Sequence, residues 1–75
     1  MPLDADALNE ADRQILEILE EGRATPTLVK KVLSERGKEY SRQYIAQRLK
    51  RLREHEHVKN IRETGVYELV DDPRV

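Results

Sequence analysis

Residues 41–53 have the sequence SRQYIAQRLKRLR, and this stretch decides the fold. It contains five basic residues and no acid, although the whole chain carries 15 acids against 14 bases. The spacing of Ile45, Leu49 and Leu52 predicts an amphipathic helix that docks through these side chains. The opposite side of the helix is polar and cationic, and Tyr44 lies beside it. This side carries Gln43, Gln47, Lys50 and Arg51. Such a face fits a DNA groove, because positive charge attracts phosphates and Gln and Arg side chains can contact base edges.

Charge is unevenly distributed along the chain. Residues 1–21 have seven acids and one base, residues 22–62 have twelve bases and four acids, and residues 63–75 have four acids and one base. The three segments therefore carry −6, +8 and −3, which sum to the net charge of −1. An anionic partner is expected to bind the middle segment and not the acidic ends.

The length of 75 residues predicts one domain over residues 1–75, with flexible ends at residues 1–8 and 71–75. A domain of this size buries only about 60% of the surface that its unfolded chain exposes, so its core is thin. Because the sequence has no Trp and no Phe, that core must be mainly aliphatic.

The composition also excludes several classes of protein. The absence of Cys rules out a disulfide scaffold, a Cys-based zinc finger and thiol catalysis. No apolar run approaches the roughly 18 residues of a membrane span, so no membrane partner is expected. The N-terminus is acidic where a signal peptide would be basic, and the expected location is the cytoplasm.

Two helices are predicted before the basic one. Asn9 is a suitable N-cap for a helix over residues 10–21, which Gly22 would end. Thr25 caps the second helix and Pro26 occupies its first position, where a missing N–H costs nothing. Gly37 ends that helix, and Ser41 caps the third, which extends to about His55.

The pattern changes after the third helix. Residues 58–62 and 66–70 have the composition of two short strands, and Gly65 in the loop between them suits the positive φ of a hairpin. The predicted fold is mainly α with a small β-hairpin. Three helices followed by a two-stranded ribbon is the winged helix-turn-helix arrangement, in which the second helix of the motif enters the major groove.

The predicted core combines one apolar stripe from each helix. The stripe of the first helix includes Ala11, and Leu16 is expected at the margin of that stripe. The Tyr67 and Leu69 face of the hairpin closes one side. The remaining expected core residues are Ile15, Ile18, Leu19, Leu28, Val29, Val32, Leu33, Ile45, Leu49 and Leu52.

Four stretches carry a family resemblance: DRQILEILEEG, TPTLVKKVL, SRQYIAQRLKRLREHEHV and ETGVYEL. Together they resemble winged-helix transcription regulators of the archaeal phage-repressor and MarR-like type, over roughly residues 9–70. The resemblance implies that the third helix contacts the major groove and that the hairpin, or wing, contacts the backbone or minor groove. Unlike full MarR proteins, this sequence lacks long terminal dimerisation helices and a recognisable effector domain.

The expected DNA-binding residues lie on the third helix and on the hairpin. For several of them a plain structural role is equally consistent with the sequence: Arg48 can clamp a phosphate or pack, and Tyr44 can contact a phosphate or pack against the second helix. Outward Gln is also ordinary surface, and charged hairpins are common without DNA. The full set is Ser41, Arg42, Gln43, Tyr44, Gln47, Arg48, Lys50, Arg51, Lys59, Arg62 and Thr64.

The segment Glu54-His55-Glu56-His57 contains metal-ligand residue types. Two His residues at i and i+2 point to different faces of a helix, and the sequence has no further His to complete a site. A fraying helix end is the better interpretation, since the helix dipole favours a cationic His there. No metal, cofactor or small-molecule ligand is expected.

The sequence thus predicts a transcription regulator that binds specific double-stranded DNA sequences and represses by occupying an operator. An enzyme is not expected, because there is no nucleophile pairing and no glycine-rich phosphate loop. A homodimer is expected on functional grounds, since one recognition helix gives limited specificity. Two alternatives remain open at this stage, namely a winged-helix module that docks on proteins and an RNA-binding module.

Overall fold

The computed structural model describes residues 7–73, which form three helices followed by a two-stranded antiparallel hairpin. The prediction of a mainly helical chain with a small hairpin is confirmed. The helices and strands are α1 (Glu10–Glu21), α2 (Pro26–Glu35), α3 (Arg42–Glu54), β1 (Val58–Asn60) and β2 (Tyr67–Leu69). None of the helices in this part of the chain is long and apolar enough to cross a lipid bilayer.

Each helix begins directly after the residue that the sequence predicts as its N-cap. The Asn9 side chain accepts a hydrogen bond from the Asp12 backbone N–H at 2.8 Å, and the Asp12 carboxylate accepts one back from the Asn9 N–H at 3.1 Å. This capping box satisfies two backbone donors that a helix start otherwise leaves open. Thr25 and Ser41 cap α2 and α3 through their hydroxyl oxygens.

The core is aliphatic and is formed by all three helices. The side chains of Ile45, Leu49 and Leu52 on α3 are fully buried, as the stripe predicts. Leu16 is also fully buried, so its predicted place at the margin of the α1 stripe is wrong. The core also contains Leu8, Ile15, Ile18, Leu19, Ala24, Val29, Leu33 and Val58.

The predicted core position of Leu28 is wrong. Its side chain is 47% exposed, whereas Val29 and Leu33 on the same helix are fully buried and Val32 is partly buried. Helices α1 and α3 pack against the side of α2 that carries Val29 and Leu33. Leu28 therefore lies at the edge of the core.

The hairpin is shorter than predicted and is attached to the helices. The strands were expected over residues 58–62 and 66–70, but a tight 3₁₀ turn begins at Ile61, and Arg62 adopts the left-handed backbone conformation at φ 50°. Gly65 has the predicted positive φ, at 83°. On its other edge, β2 exchanges two backbone hydrogen bonds between Tyr67 and Ala24, at 2.7 and 3.0 Å.

The expectation of flexible ends is only partly testable, because residues 1–6 and 74–75 lie outside the described residues. Leu8 is 7% exposed and belongs to the core, so it is not part of a loose end. The expectation for His57, a fraying helix end, is also wrong, since this residue is only 1% exposed. Its Nδ1 lies 2.8 Å from the Asp71 carbonyl oxygen, and this contact ties the residues after β2 to the end of α3.

Candidate nucleic-acid interface

The outward face of α3 is polar, and its direction follows from the burial of the opposite stripe. Gln43 and Gln47 are exposed one turn apart, and Lys50 and Arg51 continue the same face toward the C-terminal end. The two Gln amides have no hydrogen-bond partner among residues 7–73. An exposed amide that is not engaged within the fold presents both a donor and an acceptor, and such a group can pair with an adenine edge.

Several cations around this face are free of ion pairs. Within residues 7–73, Arg42, Lys50 and Arg51 of α3 and Arg62 of the hairpin turn make no ion pair with any acid. Six other bases in the same part of the chain are paired with nearby carboxylates. Such pairs are Arg23–Glu68, Arg36–Glu17, Lys38–Glu10, Arg48–Asp12, Arg53–Glu63 and Lys59–Glu68.

Arg48 is directed inward and not toward the polar face. Its guanidinium donates two hydrogen bonds to Asp12 of α1, with Nε 2.7 Å from Oδ1 and Nη2 bonded to Oδ2. The Arg48 side chain is 21% exposed and Asp12 is fully buried. The hydrogen bond to Asp12 raises the pKa of Arg48 above its ordinary value. Of the two roles that the sequence left open for Arg48, the contacts match packing.

Tyr44 is also engaged with the rest of the fold. Its hydroxyl accepts a hydrogen bond from the Asn9 side chain at 3.1 Å, and its ring stacks on Tyr40 with centroids 5.4 Å apart. The hydroxyl proton is still available to an external acceptor such as a phosphate. Tyr44 therefore contacts the start of α1 and Tyr40, whereas one of the two sequence alternatives had it packing against α2.

The first turn of α3 meets the first turn of α2 in a shallow groove. Arg42, Gln43 and Ala46 line one side of it, and Pro26 and Thr27 line the other. Ser41 lies at this end and uses its hydroxyl oxygen to cap α3, at 3.0 Å from the Tyr44 N–H.

The sequence pattern did not predict two of the residues that line this groove. Ala46 is exposed beside Gln43, and helical spacing alone could have placed it there. Thr27 is exposed on α2, and only the packing of α2 against α3 brings it near Arg42. Lys31, one turn after Thr27 on the same side of α2, is exposed and makes no ion pair with residues 7–73.

The predicted hairpin residues differ in their availability. Arg62 and Thr64 are exposed at the turn, although the Thr64 hydroxyl donates to the Ile61 carbonyl oxygen at 2.6 Å. Lys59 lies 3.3 Å from the Glu68 carboxylate on the opposite strand. The pKa of Glu68 is lowered mainly by a hydrogen bond from Arg23 and, to a smaller extent, by one from Lys59. Both partners of the Lys59 pair are solvated, so the pair is weak and does not withhold Lys59 from a phosphate.

The turn of the hairpin is held close to the end of α3. The Arg53 guanidinium donates to the Glu63 carboxylate, which brings the residue next to Arg62 beside the last turn of the helix. This contact attaches the hairpin turn to the C-terminal end of α3. Within residues 7–73, no cluster of three or more His, Asp or Glu side chains has the arrangement of a metal site.

Comparisons with known proteins give no independent assignment. No protein family, no curated protein and no solved structure matches this chain.

Proposed function

We propose that this chain is a winged helix-turn-helix protein that binds specific sequences of double-stranded DNA and regulates transcription, as a repressor, by occupying an operator. In this proposal α2 and α3 are the helix-turn-helix, α3 is the recognition helix, and the β1–β2 hairpin is the wing. One observation carries the proposal. Three cations of α3 that lack an ion pair lie on the same helix as two exposed Gln amides without a partner in residues 7–73, whereas most other bases in this part of the chain are paired with carboxylates.

That distribution of charge is what a phosphate-binding surface requires. An Arg or Lys that is already paired must break its ion pair before it can bind a phosphate, and this lowers the net gain. No such cost applies to Arg42, Lys50 and Arg51, because they make no ion pair with any acid in residues 7–73. A solvated helix without a nucleic-acid partner usually mixes charge signs for i, i+4 support, which residues 41–53 do not.

The proposed roles divide between positioning and specificity. Arg42, Lys50 and Arg51 on α3 and Arg62 on the wing would bind phosphates, which hold the protein in register without selecting a sequence. Gln43 and Gln47, at the start of α3, would contact base edges in the major groove, where recognition helices make their specific contacts. Two copies on half-sites about 34–36 Å apart would give the specificity that a single helix lacks.

The decisive experiment selects bound duplexes from a random DNA pool, first with the wild-type chain and then with Gln43→Ala/Gln47→Ala. The double substitution is expected to weaken binding to the wild-type consensus by about 1–3 kcal/mol with little effect on random DNA, because it removes base contacts alone. Arg51→Ala is the matched control and should weaken consensus and random DNA together. An unchanged consensus for the double variant would exclude α3 as the specificity element.

The wing is tested separately with Arg62→Ala. Loss of one phosphate contact should reduce affinity for consensus and random DNA equally and make the slope of log K against log salt about 0.9 less negative. Gel shifts at several salt concentrations measure both quantities. A change in the selected consensus, and not in overall affinity, would instead mean that Arg62 contacts bases.

The same gel shifts separate DNA binding from the other two classes. Competition by structured RNA at lower concentrations than duplex DNA would support an RNA-binding module. A protein-docking module should bind duplex DNA weakly, with no effect of substitution at Gln43 or Gln47.

A further inference from the structure

Asp12 is the one carboxylate that is buried among residues 7–73. It lies in the first turn of α1, on the side that packs against α3, and nothing in the outward face of α3 touches it. A buried charge is costly unless it is fully hydrogen-bonded, so the contacts that hold Asp12 indicate what it does.

Both oxygens of Asp12 are used, and they join two different parts of the fold. Oδ2 accepts from the Asn9 backbone N–H at 3.1 Å, and the Arg48 guanidinium bonds both oxygens in a two-point fork. Asn9, the other half of the same capping box, donates its side-chain amide to the Tyr44 hydroxyl at 3.1 Å. Tyr44 and Arg48 are one turn apart on α3, so the start of α1 holds two consecutive turns of that helix along one edge.

We propose that Asp12 is a positioning residue that determines the specificity of DNA binding, although it lies beneath the helix and away from the DNA. Asp12 acts on specificity by setting the rotation of α3 about its axis. It has a second effect on overall affinity, because it keeps the Arg48 charge away from phosphates. This inference rests on the proposed function.

The first effect follows from the geometry of the fork. A guanidinium and a carboxylate that share two parallel hydrogen bonds have a fixed relative orientation, which a single hydrogen bond or an ammonium group does not impose. The apolar stripe alone permits some rolling of α3 on the core. Base contacts by Gln43 and Gln47 tolerate errors of only about 0.5 Å and 10–20°, whereas long Arg and Lys side chains can follow a phosphate over larger distances.

The second effect concerns charge. Arg48 lies at the edge of the same helix that carries Arg42, Lys50 and Arg51. Without a partner, its guanidinium would be one more free cation beside the DNA and would strengthen binding to every sequence equally. Paired with Asp12, it contributes nothing to non-specific affinity. The second effect therefore lowers the affinity for all sequences alike, and only the first raises the ratio of consensus affinity to random-DNA affinity.

The test variant is Asp12→Asn, which keeps an oxygen that can accept from the Asn9 N–H but removes the charge that holds Arg48. Its affinity for the consensus selected by the wild-type chain should fall about tenfold, the loss of one good base contact. Its affinity for random duplex DNA should stay equal or rise, and its salt slope should steepen by about 0.9 because one more cation reaches phosphate. A purely structural role would lower the melting temperature without changing the slope or the affinity ratio.

Two further variants make the result decisive. Glu21→Gln removes the same charge from an exposed position on α1 that makes no ion pair with residues 7–73, so it should leave the affinity ratio and the slope unchanged. Arg48→Lys keeps the ion pair but loses the two-point fork, and it serves if Asp12→Asn does not fold. Its salt slope should match wild type while its consensus affinity falls about threefold or more.

The proposal is overturned if the folded variants at Asp12 and Arg48 keep the wild-type ratio of consensus to random-DNA affinity. Failure of the proposed function gives a different result, since the wild-type chain would then select no consensus from the pool.

Discussion

Binding of this chain to duplex DNA is expected to weaken by about 150- to 500-fold per protomer when salt rises from roughly 50 to 200 mM. Four unpaired cations lie on α3 and the hairpin turn, and Lys31 lies at the edge of the same surface. Each phosphate that they neutralise releases counterions and contributes about −0.9 to the slope of log K against log salt. Four to five contacts therefore predict a slope of about −3.6 to −4.5.

Two Arg variants test whether the slope comes from this surface. Arg51→Ala should make the slope about 0.9 less negative, because Arg51 is exposed and unpaired within residues 7–73. Arg36→Ala removes the same side chain from a position that is bonded to Gln14 and Glu17 of α1, and it should leave the slope unchanged. A wild-type slope near zero would contradict the nucleic-acid proposal as a whole.

The second large effect concerns stability. Leu49→Ala is expected to lower the free energy of unfolding by roughly 2–5 kcal/mol, through lost burial and the cavity that is left. Leu49 is fully buried in the centre of the α3 stripe, where side chains of all three helices meet. Since a small domain has a total stability of only about 5 kcal/mol or somewhat more, this variant should be close to unfolding at room temperature.

Urea denaturation monitored by circular dichroism measures this loss. Leu28→Ala is the matched control, because it deletes the same atoms from a side chain that is 47% exposed. Its cost should stay below about 1 kcal/mol, as for surface substitutions in general. Similar costs for the two variants would mean that α3 does not dock through the Ile45, Leu49 and Leu52 stripe.

The local features of the fold were predictable from the sequence because their causes lie within a few residues. Asn9, Thr25 and Ser41 each cap a helix through an atom three residues away, so the helix starts could be located without tertiary information. The apolar spacing in α3 likewise determined which side faces the core and, by exclusion, that Gln43 and Gln47 face outward.

The exposure of Leu28 and the burial of Leu16 were not predictable from the same kind of pattern. Both are Leu residues at positions compatible with an apolar stripe. Which of them is covered depends on how neighbouring helices cross, and this is a property of the assembled core. His57 shows the same limitation, since its burial depends on the residues that follow β2.

The basic helix shows most clearly which properties the sequence determines and which depend on the tertiary structure. The sequence by itself determined that residues 41–53 form a cationic, amphipathic helix, because charge and spacing are local properties. Only the tertiary structure decided which of those cations are free. Arg48 meets Asp12 across 36 positions of sequence, and Arg53 meets Glu63 across ten. Helical spacing carries no information about such partners, because long-range pairing depends on the packing of one element against another.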